Sequence, residues 1–170
     1  MEPLRRPATE PVERPARQYW AAYAHLLAVA AAVIVVDQIT KALVISNLAG
    51  GRVVQLFGGL IRLVYARNSG AAFGIFPDRG TLFAVVAAFV TAAILLSYRR
   101  LSRSPAIVRI AAGLLLGGAL GNFSDRIRLG YVVDFIDLGW FPVFNLADSS
   151  IVLGVLTLFV YTALTQDRTG

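Results

Sequence analysis

The run "WAAYAHLLAVAAAVIVVDQITKALVI", residues 20–45, decides the fold. It carries no charged residue before Asp37 and exceeds the roughly 20 residues that span a bilayer. Basic residues precede it and "LAVAAA" offers small ones, as in a secretory signal. The apolar stretch nevertheless continues through Ala32, Val33, Ile34, Val35 and Val36, beyond the roughly 7–15 residues of a signal core. It therefore reads as a retained helix. Arg5-Arg6 lacks the rest of a twin-arginine signal. Further apolar runs lie at about 82–98, 106–122 and 143–164. With 57% hydrophobic and only 15% charged residues, the composition excludes an ordinary soluble domain. The expectation is an all-α integral membrane protein with four transmembrane helices.

The basic residues set the orientation. Arg5, Arg6, Arg14 and Arg17 precede the first run, Arg99, Arg100, Arg103 and Arg109 surround the second connection, and Arg168 follows the last. Four spans place these on one side, which the positive-inside rule makes cytoplasmic, so both termini are expected there. The other side holds Arg52, Arg62, Arg67, Arg79, Arg126 and Arg128, offset by Asp78, Asp125, Asp134 and Asp137. The net charge of +6 follows from orientation, and no basic cluster interleaved with aromatics points to nucleic acid.

Residues 1–17, "MEPLRRPATEPVERPAR", have the composition of a disordered cytoplasmic tail, leaving 18–166 as a single membrane domain. Between the first two runs, "GRVVQLFGGLIRLVYARN" shows β-branched and aromatic stretches split by Gly58-Gly59. A small extracytoplasmic β-hairpin over about 52–67, lying on the outer leaflet, fits better than another span. Gly113, Gly117 and Gly121 recur every four residues, a spacing that lets a neighbouring helix approach closely.

Cysteine is absent, which removes disulfides and thiol catalysis. The single histidine, His25, sits near the cytoplasmic start of the first helix, where packing is the expected role. Zinc prefers nitrogen and sulfur ligands, so neither a metal nor another cofactor is expected.

The polar residues are the informative ones. Asp37 and Lys41, in "DQITK", stand at i and i+4 on one helix face and read first as an ion pair. "NSGAAFG", Asn68 to Gly74, allows close backbone approach, and "GNFSDR" groups Asn122, Asp125 and Arg126, which reads as a local charge network. In "VVDFIDLGWFPVFNLADSS", residues 132–150, Asp134, Asp137 and Asp148 lie among apolar residues, and an ionised carboxylate there is costly. If the third and fourth helices pack, Asp134 and Asp148 reach the same depth. Two close carboxylates share a proton, leaving one as base and one as acid, enough for water to attack an amide. Asp137 competes with Asp134, and Asp148 also suits the first turn of a helix.

Taken in order, "DQITK", "NSGAAFG", "GGALGNFSDR", "GYVVDFID" and "FPVFNLADSS" resemble the bacterial lipoprotein signal peptidase family, signal peptidase II, from about Asp37 to Ser150. The resemblance implies an aspartyl endopeptidase of the bacterial inner membrane, with its active site near the extracytoplasmic face. It implies cleavage of diacylglyceryl-modified prolipoproteins just before the lipidated cysteine, with Asp134 and Asp148 as the catalytic pair. Asp37, Lys41, Asn68, Asn122, Asp125, Arg126 and Asn145 are the implied supporting residues. The partners expected are these substrates and membrane lipid, with no nucleic acid, and the protein is expected to be a monomer. Two other classes stay open: a small proton-coupled transporter relaying through intramembrane aspartates, and a noncatalytic scaffold that would tolerate either Asp as Asn.

Overall fold

Polar side chains lie inside this molecule and many apolar ones outside. Asp37, Lys41, Asn122, Asp125, Asp134 and Asn145 are buried, whereas Val35, Leu43, Phe89, Leu96 and Phe159 are exposed. A water-soluble fold would reverse that distribution, and a bilayer around the helices accounts for it. The computed structural model describes residues 16–70 and 80–166. Residues 1–15 of the expected tail and residues 71–79, which include most of "NSGAAFG", lie outside them.

The elements are α1 (Ala16–Leu48), β1 (Val54–Leu56), β2 (Ile61–Asn68), α2 (Gly80–Leu96), α3 (Tyr98–Arg103), α4 (Ala106–Leu129), β3 (Val132–Asp137) and α5 (Leu146–Gln166). The segments Tyr23–Leu48, Ala106–Leu129 and Leu146–Thr165 are long and apolar enough to cross a membrane. Helix α2 is shorter, at 17 residues. The six-residue helix α3 was not expected from the sequence.

Helix α4 packs against both α1 and α5, and its glycines make this possible. A methyl group on Gly113 or Gly117 would stand 2.8 Å from the Leu26 carbonyl oxygen or 2.7 Å from that of Ala30, both on α1. Gly118 faces α5, where the same methyl would stand 2.5 Å from the Ala147 carbonyl oxygen. Such backbone contact replaces the hydrophobic driving force that lipid cannot supply. Helix α4 also runs further than its apolar stretch. It continues through Asn122 and Asp125, which face inward, and ends at Gly130, whose φ of 80° closes the last turn with an N–H bond to the Arg126 carbonyl.

The sheet is antiparallel in the order β1-β2-β3. A single turn over Phe57–Gly59, with Gly58 and Gly59 at φ 67° and 92°, joins β1 to β2 as the glycine pair suggests. The expected hairpin is not the whole sheet, because its third strand comes from the connection between α4 and α5. Strand β2 would otherwise present an unpaired edge. In the register, Ala66 pairs with Asp134 and Asn68 with Val132, before a shift between Leu63 and Ala66. Val133 and Phe135 of β3 pack on Val44 and Leu48 at the end of α1, which seats the sheet on the helices.

Candidate active site

Among the described residues, every carboxylate in the interior belongs to one hydrogen-bonded network. Its hub is Lys41, whose three N–H donors meet Asp37 Oδ2 at 2.8 Å, Asp125 Oδ2 at 2.8 Å and Asn122 Oδ1 at 3.0 Å. Lone buried charges are costly, and this grouping compensates them at close range. The expected Asp37–Lys41 pair is present, with Asp125 as a second anion.

Backbone amides complete the arrangement. Asp37 Oδ1 accepts the N–H of Ala147, one of the unpaired donors in the first turn of α5, so α1 is tied to the start of α5. Asp125 Oδ2 accepts the N–H of Val133, which fixes β3 one residue before Asp134. Gln38, which the sequence reading passed over, donates to Asp125 Oδ1 at 2.9 Å and accepts from Arg128 at 2.9 Å. Its only signal is its place beside Asp37 in a helix that is otherwise apolar there.

Asn145 stands just before the first residue of α5 and caps it. Its Oδ1 accepts the N–H of Asp148 at 2.9 Å, while Asp148 Oδ2 accepts the N–H of Asn145 at 3.3 Å. This is a reciprocal capping box, so Asp148 does serve the helix terminus. Its other oxygen is free of that duty and accepts from Asn122 Nδ2 at 2.7 Å. The amide of Asn145 reaches the second carboxylate, with Nδ2 2.6 Å from Asp134 Oδ1 and 3.1 Å from Asn122 Oδ1. Asp134 Oδ2 accepts from Asn68 Nδ2 at 2.9 Å.

Asp134 and Asp148 are thus linked through neutral amides, Asn145 on one and Asn122 on the other, which bond each other, unlike Asp37 and Asp125, which contact a lysine. Arg126 bonds the Asn122 carbonyl at 3.3 Å and lies within electrostatic range of Asp148, Asp134 and Asp125. Burial, followed by the nearby Asp148 charge, pushes Asp134 up to about 6, against the lowering effect of the Asn68 and Asn145 amides. Asp137 does not join them. It pairs with Arg62 at 2.7 Å on the sheet surface and accepts the N–H of Gly139.

Comparison with known proteins identifies the assembly. Residues 29–164 match the family model described as Signal peptidase (SPase) II. The chain belongs to that family. The lipoprotein signal peptidase of Halothermothrix orenii is 44% identical over 129 residues, covering 76% of this chain and 88% of that protein. That of Syntrophomonas wolfei is 43% identical over 136 residues, covering 80% and 91%. A solved bacterial membrane enzyme superposes with a TM-score of 0.71 at 33% identity, covering 85% of this chain and 89% of that one. A signal peptidase II is a protease, and these relatives give the transporter alternative no support.

Proposed function

We propose that this signal peptidase II is an aspartyl endopeptidase with Asp134 and Asp148 as its catalytic pair. Removal of signal peptides from prolipoproteins follows from family membership. The observation that carries the aspartyl chemistry is that two carboxylates are linked through one asparagine pair, Asn145 donating to Asp134 and to Asn122 Oδ1 while Asn122 donates to Asp148. With one proton shared between them, the ionised carboxylate takes a proton from water as the water oxygen attacks the scissile carbonyl carbon. The protonated partner donates to the carbonyl oxygen. Collapse of the resulting diol breaks the C–N bond as the leaving amine takes a proton from one carboxyl and a diol hydroxyl gives one to the other, which restores the singly protonated pair. The two titrate as a unit. Lys41, Asp37 and Asp125 hold α1, α4, β3 and α5 in register, Asn68 orients Asp134, and Arg126 supplies positive potential beside the pair.

The substrate carries diacylglycerol on the cysteine that follows the cut. A site at the sheet end of the helix bundle leaves the lipid chains in the bilayer while water reaches the peptide. Helix α2 would be about 25 Å long, close to the bilayer core, and serves as the fourth span. Both termini are then cytoplasmic, the sheet and pair face the extracytoplasmic side of the bacterial inner membrane, and the chain from α1 onward forms one monomeric domain.

The test is cleavage of a diacylglyceryl-modified prolipoprotein by purified protein in the presence of chelator. Asp134→Asn and Asp148→Asn are each expected to abolish cleavage, while the wild type stays active. Full activity in either variant would refute the dyad.

A further inference from the structure

Strand β2 serves two faces of the sheet. Ala66 and Asn68 share the side of Asp134, whereas Arg67, paired with Val133, lies on the other. There Tyr65 and Tyr131 pack with Val133, Val44 and Leu48. Arg67 is exposed beside them, its guanidinium 5.6 Å from the Tyr65 ring centroid and 5.0 Å from that of Tyr131. Its Nε donates to the Tyr65 hydroxyl at 2.8 Å, and the two hydroxyls stand 3.0 Å apart.

The hydrogen-bond inventory leaves donors over. Whichever phenol donates to the other, one O–H remains. Among the described residues the Nη groups of Arg67 have no partner, and no carboxylate answers the charge. Asp37 and Asp125 are held by Lys41, Asp134 by Asn68 and Asn145, Asp148 by Asn122, and Asp137 by Arg62. Depth narrows the choice of ligand. The membrane-crossing segment Tyr23–Leu48 ends at a residue of this cluster, and Ala106–Leu129 ends two residues before Tyr131, so the cluster lies at headgroup level.

We infer that Arg67, Tyr65 and Tyr131 bind the phosphate of an anionic phospholipid. The two Nη groups match two phosphate oxygens, and the leftover phenol O–H supplies a third donor. The Nε bond and the two rings hold the guanidinium in place, which lowers the ordering cost of binding. A choline headgroup would bring its own ammonium beside Arg67, so a headgroup without a cation is preferred. Asp78, in the segment 71–79 outside the described residues, is the competing anion.

The test is native mass spectrometry of the delipidated full-length protein in detergent, titrated with phosphatidylglycerol, with phosphatidylcholine of the same chains, or with glycerol phosphate alone. The wild type is expected to retain phosphatidylglycerol with about a fivefold preference over phosphatidylcholine, and not to retain glycerol phosphate. Arg67→Gln should abolish the preference. Arg67→Lys, which keeps the charge but loses the fork, should lose most of it. Arg62→Gln removes an arginine of the same sheet that Asp137 already neutralises, and should leave the preference unchanged. Equal retention of the two lipids by the wild type, a full preference in either Arg67 variant, or an equal loss in Arg62→Gln would overturn the inference. So would a preference that appears only in Asp78→Asn, which would assign Arg67 to that carboxylate. Glycerol phosphate retained as well as phosphatidylglycerol would make a soluble phosphate the ligand and overturn it too.

Discussion

Asn145 Nδ2 stands 2.6 Å from Asp134 Oδ1. The other end of the same amide caps α5 at Asp148, so one side chain serves both helix stability and carboxylate geometry. Asn145→Ser separates the two roles. Serine caps nearly as well as asparagine, within about 1 kcal/mol, but has no amide to reach Asp134. The expected result is an almost unchanged thermal midpoint with cleavage reduced about a hundredfold, the scale of losing one preorganised donor. Unfolding scans beside initial rates would check it.

Asp134 sets a pH dependence with a definite sign. Its carboxyl keeps a proton to about pH 6, so the singly protonated pair of the free enzyme is lost as pH rises past that value, and kcat/KM falls. Bound substrate excludes water and disfavours the second ionisation further, so the alkaline limb of kcat lies at higher pH. The Asn68 amide stabilises the ionised form, so Asn68→Ala should move the kcat/KM limb upward. For stability, native Asp134 binds its proton more tightly than an unfolded aspartate with a pKa of about 3.9. Its contribution therefore declines as pH rises between about 4 and 6. Rate profiles extended above pH 6, and unfolding midpoints between about pH 4 and 6, would show both.

Asp137→Asn gives the contrasting result. The partner guanidinium of Asp137, on Arg62, is 44% exposed, and an exposed ion pair is worth about 0–1 kcal/mol. Cleavage within about twofold of wild type is expected, because the carboxylate lies outside the amide network. A loss as deep as that of Asp134→Asn would reassign the pair.

The membrane fold was legible because hydropathy marks helices before any packing is known, and the ordered polar motifs pointed to the family. The helix ends were less legible. The apolar run of α4 stops near Leu120, yet the helix reaches Leu129, since Asn122 and Asp125 find partners inside that composition does not reveal. Strand β3 escaped the hairpin reading because its partner, β2, lies more than sixty residues earlier, and pairing at that distance leaves no local pattern. The pairing of Asp134 with Asp148 required only that α4 and α5 be neighbours. The place of Gln38 in the network depended on side-chain directions no spacing rule supplies.

Lys41→Met tests the hub. It leaves Asp37 and Asp125 buried without their shared cation, and breaking a buried pair costs about 3–5 kcal/mol. The thermal midpoint should drop sharply. Adding Asp125→Asn to Lys41→Met removes one stranded charge and should recover part of the loss, measurable as a double-mutant cycle.

Gly118→Ala reaches the proposed catalytic pair through packing. The new methyl would meet the Ala147 carbonyl oxygen at 2.5 Å, so α5 must move away from α4 by a few tenths of an ångström or more. Ala147 immediately precedes Asp148, whereas Gly113 abuts Leu26 and Val29, far from the pair. Overpacking at either glycine should cost about 1–3 kcal/mol. Only at Gly118 does the shift displace a carboxylate, and misplacement of about 1 Å can cost a hundredfold in rate. Gly118→Ala should therefore lower kcat at least about tenfold, while Gly113→Ala, of similar stability, retains the wild-type rate per folded molecule. Equal kcat in the two variants would show that α5 absorbs the methyl without moving Asp148.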